Sequence, residues 1–109
     1  MRQITLALMG FGNVAQAFVE LLVRKQDLIK SELNAEILVT GIFSKNHGAA
    51  INSGGVNLKR ALETRKQGGS LLTLSERNQP INAESFIYDA SAEIFVETIP
   101  LNQYNGQPA

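Results

Sequence analysis

Gly10-Phe11-Gly12-Asn13-Val14-Ala15 follows the spacing G-x-G-x-x-G/A, and each small residue has a physical task in holding a dinucleotide. Gly10 permits a tight turn out of a strand. Gly12 lacks the Cβ that would keep a pyrophosphate away from the backbone, and Ala15 lets the following helix pack close to the strand. The free N–H groups and the positive dipole end of that helix favour phosphate. A glycine turn that merely joins strand to helix is the plainer alternative, and only the flanking elements separate the two. A second position selects the dinucleotide. NAD sites usually end the second strand with Asp or Glu, which binds the ribose hydroxyls; here Ser44-Lys45 stands instead. A hydroxyl and a cation suit the 2′-phosphate of NADP, against the alternative that Lys45 is a solvated loop residue. His47 reads as an ordinary loop histidine, because nothing nearby would fix its charge. Glu97-Thr98-Ile99-Pro100 closes a third apolar run. Thr98 and Pro100 therefore fall at the carboxyl end of a strand, where open α/β sheets bind ligands. A carboxylate ending an apolar strand needs a partner, so Glu97 either caps a backbone N–H or faces the crevice. A group to move a hydroxyl proton, commonly His, Lys or Tyr, has no convincing position: Tyr88 falls on a helix, Tyr104 in the tail and Lys45 at the adenosine end. No catalytic residue is assigned. With no Cys and a single His, no metal site is assigned either.

The elements around these residues read as follows. Ile4 to Met9 is a short apolar run suited to a strand buried on both faces. Val14, Ala17, Phe18, Leu21, Leu22, Leu28 and Ile29 then recur at helical spacing, which predicts an amphipathic helix from about Asn13 to Glu32, ended near Asn34. Glu36 to Phe43 is a second strand. Two strands joined by a long helix are parallel neighbours, the opening unit of a doubly wound sheet and the context that the glycine motif requires. Ser44 to Gly55 is small, polar and glycine-rich, and reads as a loop. Asn57 caps a short helix through Leu58, Ala61 and Leu62, ended at Gly68-Gly69. Residues 70–82 are ambiguous. Asn82 caps a helix to about Ala90, and Ile94 to Val96 is the third strand, with a loop from Leu101 onward.

Composition bounds the rest. The chain has 109 residues, room for one domain. Ten basic residues balance ten acidic ones, which argues against a nucleic-acid partner held by a basic patch. No apolar run approaches the length of a membrane span, and the amino terminus makes a poor secretory signal. A soluble, cytoplasmic domain with no membrane partner is expected. Charged residues are 18%, below the usual ~25%. Low charge and an open sheet edge predict a homo-oligomer. The chain stops at Gln107-Pro108-Ala109 without a closing strand or helix, so a fragment of a longer protein is expected.

Three segments, in order and covering essentially the whole chain, resemble the homoserine dehydrogenases. ITLALMGFGNVAQAFVELLVRK is similar to their first strand and helix, with Ala15 where their G-F-G-N-V-G motif ends in Gly. VTGIFSKNHGAAINSGGVNLKRAL is similar to their second strand and cofactor-selecting loop. AEIFVETIPLNQYNGQPA is similar to their V-V-E-x-T-P-x-N…T-G-x-P-A segment, at Val96, Glu97, Pro100, Asn102, Gly106, Pro108 and Ala109, with Ile99 inserted between Thr98 and Pro100.

The resemblance implies an NADP-dependent oxidoreductase, with NAD a possible substitute, interconverting L-homoserine and L-aspartate 4-semialdehyde on the route to threonine and methionine. It implies a Rossmann-like, three-layer αβα fold with a doubly wound parallel sheet, truncated here to the amino-terminal cofactor domain, residues 1–109. Phe11, Gly12, Asn13 and Val14 would contact the pyrophosphate, with Gly10 in the same cofactor-binding turn, Ser44 and Lys45 would select the adenosine ribose end, and Thr98 and Pro100 would lie near the nicotinamide ribose. The family's catalytic lysine has no counterpart, so the 109 residues alone are expected to be inactive. The alternative from a different class is a non-catalytic NAD(P)-sensing domain that regulates a partner.

Overall fold

The computed structural model describes residues 1–76 and 81–98. The first strand, β1 (Arg2–Met9), leads through the glycine turn into α1 (Asn13–Leu33) and back to β2 (Ala35–Ser44). β1 and β2 pair in parallel, Met9 beside Phe43. Asn34, in the left-handed conformation at φ 48°, ends α1; Asn is among the few side chains that reach that region at modest cost.

The run expected as a loop after Ser44 contains a strand. β3 (Gly48–Ile51) folds back antiparallel onto β2, Ser44 opposite Gly48 and Gly41 opposite Ile51. Ala49 and Ala50 carry little strand signal of their own, so burial between the layers decides the conformation, not propensity. The sheet is therefore mixed where an all-parallel sheet was expected. The chain continues through α2 (Leu58–Lys66), a 3-10 turn at Leu71–Leu74 within the ambiguous stretch, and α3 (Ala83–Asp89). Asn57 and Asn82 cap α2 and α3, their side chains accepting from the Arg60 and Ser85 N–H groups. The expected third strand is the fourth, β4 (Ile94–Glu97), parallel to β1 on the side away from β2. The order is β3-β2-β1-β4.

Helices cover both faces. Leu6, Leu8, Val39 and Ile42 pack with Ala15, Val19 and Leu22 of α1 and Ala61 of α2. On the other face Ala7, Ala49 and Ile51 pack with Phe86 and Ala90 from the α3 segment. The apolar side of α1 differs from the sequence expectation: Val14, Leu21 and Leu28 are exposed. They lie at i, i+7 and i+14 on a stripe beside the buried one.

A bulge keeps the two faces of β2 in order. Leu6 pairs with Val39, but Ala7 pairs with Gly41, so Thr40 is the additional residue. Without it Ile42 and Phe43 would exchange faces. The Thr40 hydroxyl donates to the Ala90 carbonyl at 2.8 Å, tying the bulge to the end of α3. Beside it Gly41 lets the helix approach: a Cβ there would meet Phe86 Cζ at 2.8 Å and Ala90 Cβ at 2.9 Å.

Gly41→Ala therefore overpacks this contact. The expected loss of unfolding free energy is about 1–3 kcal/mol, larger than the roughly 0.4–1 kcal/mol gained from the stiffer unfolded chain. Urea titration should show a lower midpoint with an unchanged slope; a midpoint at or above wild type would contradict the close packing of α3.

Candidate functional site

The carboxyl ends of β2, β1 and β4 are laced together by backbone hydrogen bonds. Gly10 N–H donates to the Phe43 carbonyl at 2.7 Å, and Thr98 N–H donates to the Met9 carbonyl at 3.0 Å. The Thr98 hydroxyl reaches the same carbonyl at 3.4 Å. The chain leaves β1 through α1 toward β2 on one side, while β4 lies on the other. A crevice forms at such a reversal of strand order, outside the carboxyl ends of the strands.

The glycine turn fills the middle of that edge. Gly10 has φ 116°, a conformation that L side chains rarely adopt. Phe11 is 3% exposed and part of the core, so only its backbone faces the turn. Gly12 is the N-cap of α1 at φ −83°, with no side-chain cap and no acid in the first turn. The first N–H groups of α1 thus lack a side-chain acceptor, and no carboxylate offsets the dipole. A Cβ on Gly12 would meet nothing within 4 Å: the backbone angles tolerate one and the protein leaves room for one. The space above this helix terminus is open. Asn13 and Val14 are exposed beside it, and Ala15 is fully buried against the sheet.

At the end of β2, Ser44 is buried and Lys45 exposed at the start of the hairpin turn. His47 is half-buried, and its carbonyl accepts from Leu71 N–H at 2.7 Å, so its placement is that of a turn residue. Glu97 is exposed, so its carboxylate is open to solvent and needs no protein partner of the kind expected from sequence. Thr98 stands beside Met9, whereas Pro100 and the matches at Asn102, Gly106, Pro108 and Ala109 lie outside the described residues, as does Tyr104. Tyr88 is on an exposed face of α3. Lys45 and His47 follow β2, about 10 Å or two strand spacings from β4.

Sequence reasoning missed two contributors. The hairpin with β3 makes Lys45 a turn residue of fixed register. Gln16, whose side-chain amide donates to the Phe11 carbonyl at 3.0 Å, braces the glycine turn. A shallow hollow elsewhere, between Leu22 and Gln26 of α1, Ile37 and Leu38 of β2 and Leu58 of α2, lies near the amino end of β2 and gathers no reactive groups beyond the surface ion pair of Lys30 and Glu36. Among the described residues, no three metal-ligating side chains group together, and no helix is long and apolar enough to cross a membrane.

The layers, the strand order and the glycine turn define a Rossmann-type αβα domain. The chain is similar in sequence to homoserine dehydrogenases. It is 28% identical over 102 residues to the homoserine dehydrogenase of Methanocaldococcus jannaschii, covering 94% of this chain and 30% of that protein. It is 27% identical over 109 residues to an NAD(+)-dependent homoserine dehydrogenase of Pseudomonas canavaninivorans, covering 100% of this chain and 31% of the relative. It therefore spans about 30% of the length of the curated relatives it matches. Among solved structures, it resembles a hyperthermophilic archaeal homoserine dehydrogenase in complex with NADPH, with a TM-score of 0.69 and 18% identity over 88% of this chain and 28% of that one. The homoserine dehydrogenase of Thermoplasma acidophilum gives 0.65 and 19% identity over 94% and 28%. No protein-family model matches.

The two glycines of the turn should separate in their effect on folding. Gly10→Ala forces a side chain to φ 116° and should cost about 1–3 kcal/mol. Gly12→Ala should change stability by less than about 1 kcal/mol, the scale of an N-cap exchange. Thermal unfolding of both variants checks this; an equal loss in both would mean that Gly12 also serves the fold.

Proposed function

We propose that this chain is the NAD(P)-binding domain of a homoserine dehydrogenase, an NADP-dependent enzyme interconverting L-homoserine and L-aspartate 4-semialdehyde in threonine and methionine biosynthesis in the cytoplasm. The observation that carries it is Gly12: open space above a helix terminus, in a glycine turn the fold does not need free of a Cβ, in a chain related to homoserine dehydrogenases.

Bound there, the cofactor would supply the hydride acceptor at its nicotinamide. The residues of this chain bind and orient. The N–H groups of Gly12, Asn13 and Val14 would hold the pyrophosphate, with Gly10 and Phe11 shaping the turn. Ser44 and Lys45 would meet the adenosine ribose and Thr98 the nicotinamide end, a role the resemblance also assigns to Pro100, which lies outside the described residues. Removal of the hydroxyl proton and binding of homoserine fall to chain that these 109 residues do not include. Lys45 is the cation available to a 2′-phosphate where an NAD site would carry an acid. This supports NADP as the preferred cofactor. One of the similar solved structures holds NADPH and one relative is NAD(+)-dependent, so both occur among these proteins. The outer edge of β4 bonds no strand among the described residues, and Ile94 and Phe95 are exposed on it. These support association into a homo-oligomer.

Calorimetric titration tests cofactor choice. A charge-assisted hydrogen bond at a solvent-exposed site should make NADPH bind about tenfold more tightly than NADH, with the margin shrinking as salt rises. Lys45→Ala should remove most of the difference by weakening NADPH alone, and Ser44→Asp should reverse it. Equal affinities in wild type would make Lys45 a solvated residue only. Homoserine and NADP should give no turnover with the 109 residues and clear turnover with a full-length protein that contains them; a full-length protein that binds NADP but never reduces it would favour a sensor. Light scattering on a sizing column reads the oligomer directly, and a clean monomer at high micromolar concentration would count against it.

A further inference from the structure

We propose that Gln16 is a positioning residue that sets the direction of the two backbone N–H groups aimed at the dinucleotide's pyrophosphate. The inference rests on the reading of the glycine turn as a dinucleotide site. A trans peptide is planar, with its C=O and N–H pointing in opposite directions. The Phe11 carbonyl and the Gly12 N–H belong to one such plane, and the Gly12 carbonyl and the Asn13 N–H to the next. Gln16 holds both carbonyls. Its side-chain Nε2 donates to the Phe11 carbonyl at 3.0 Å, and its backbone N–H donates to the Gly12 carbonyl at 2.9 Å. Each carbonyl is drawn toward the body of α1, so each paired N–H points the other way, into the open space above Gly12.

The second of these bonds is the first of the helix and would form with any residue at position 16 except proline. The first is specific to a side chain that can donate. It acts where the backbone is least constrained, because Gly12 populates more of φ/ψ space than any other residue would. Without the clamp, the Phe11–Gly12 peptide can rotate and present a carbonyl lone pair to the phosphates instead of an N–H. The anchors on either side make the clamp effective. The Phe11 side chain is fixed in the core at 3% exposure, and Gln16 is only partly exposed. Gln16 thus works by preorganisation: it touches backbone, not ligand, and spares the ligand the ordering of the turn.

The test uses the 109-residue chain with two probes, NADPH and adenosine 2′-monophosphate. The second carries the 2′-phosphate but no pyrophosphate. Gln16→Met keeps the length of the side chain and removes the donor. It should weaken NADPH about tenfold, the scale of one lost hydrogen bond, while the monophosphate binds within twofold of wild type. Gln16→Glu keeps the shape but puts an acceptor against the Phe11 carbonyl, and should weaken NADPH further with the same insensitivity of the monophosphate. A merely structural role would weaken both probes together. NADPH affinity unchanged in both variants, or parallel loss of both probes, overturns the proposal alone. A wild-type chain that binds neither probe overturns the dinucleotide reading, and this proposal with it.

Discussion

A strand buried on both faces needs a partner for each backbone group and a cover for each side chain, and β1 is that strand here. Leu6 and Leu8 face α1 and α2 while Ala7 faces the α3 layer, and all three are buried. β2 and β4 satisfy its two edges in parallel. Because both neighbours run in the same direction as β1, their carboxyl ends arrive at one edge, and the Gly10–Phe43 and Thr98–Met9 hydrogen bonds hold them level. The position of the candidate site follows from this pairing before any side chain is considered.

The Thr40 bulge is what allows one strand to serve two layers. Ile37 and Val39 belong to the α1 layer, and so does Ile42, although it lies an odd number of positions beyond Val39 and would face the other way in a regular strand. The additional residue restores the alternation. It also places Gly41 where Phe86 has to come close and turns Phe43 toward Phe86, their rings 5.6 Å apart and tilted by 56°. Phe43 is in turn the residue whose carbonyl takes the Gly10 N–H. The same short stretch of β2 therefore seats α3 on one face and anchors the glycine turn at its end, which couples the packing of the far layer to the geometry of the candidate site.

The donors at the proposed site come from the backbone. Gly10 supplies a conformation, Gly12 an open approach and α1 the free N–H groups, with side chains confined to the bracing bond of Gln16 and to the selection proposed for Ser44 and Lys45. A site of this kind suits an anion with several acceptor oxygens, because the peptide donors are neutral, directional and already oriented.

The motif Gly10 to Ala15, β1, α1 with its Asn34 terminus, the parallel pairing with β2, the Asn57 and Asn82 caps and the strand at Ile94 were all legible in the sequence. Each is a matter of local periodicity or of a capping residue acting within a few positions, and a linear pattern records such interactions directly. The β3 hairpin, the Thr40 bulge and the exposure of Val14, Leu21 and Leu28 were not legible. Ala49-Ala50 becomes a strand because β2 offers it an open edge and buries it, Thr40 becomes a bulge because Ala90, fifty residues on, takes its hydroxyl, and the buried stripe of α1 is chosen by the sheet beneath it. The clamp by Gln16 likewise depends on where the turn sets the Phe11 carbonyl. Sequence by itself determined the kinds of element outside the β3 hairpin and the Leu71–Leu74 turn, and the small residues of the glycine turn. Tertiary structure alone decided register, facing and bracing, because those depend on partners that meet only when distant segments pack.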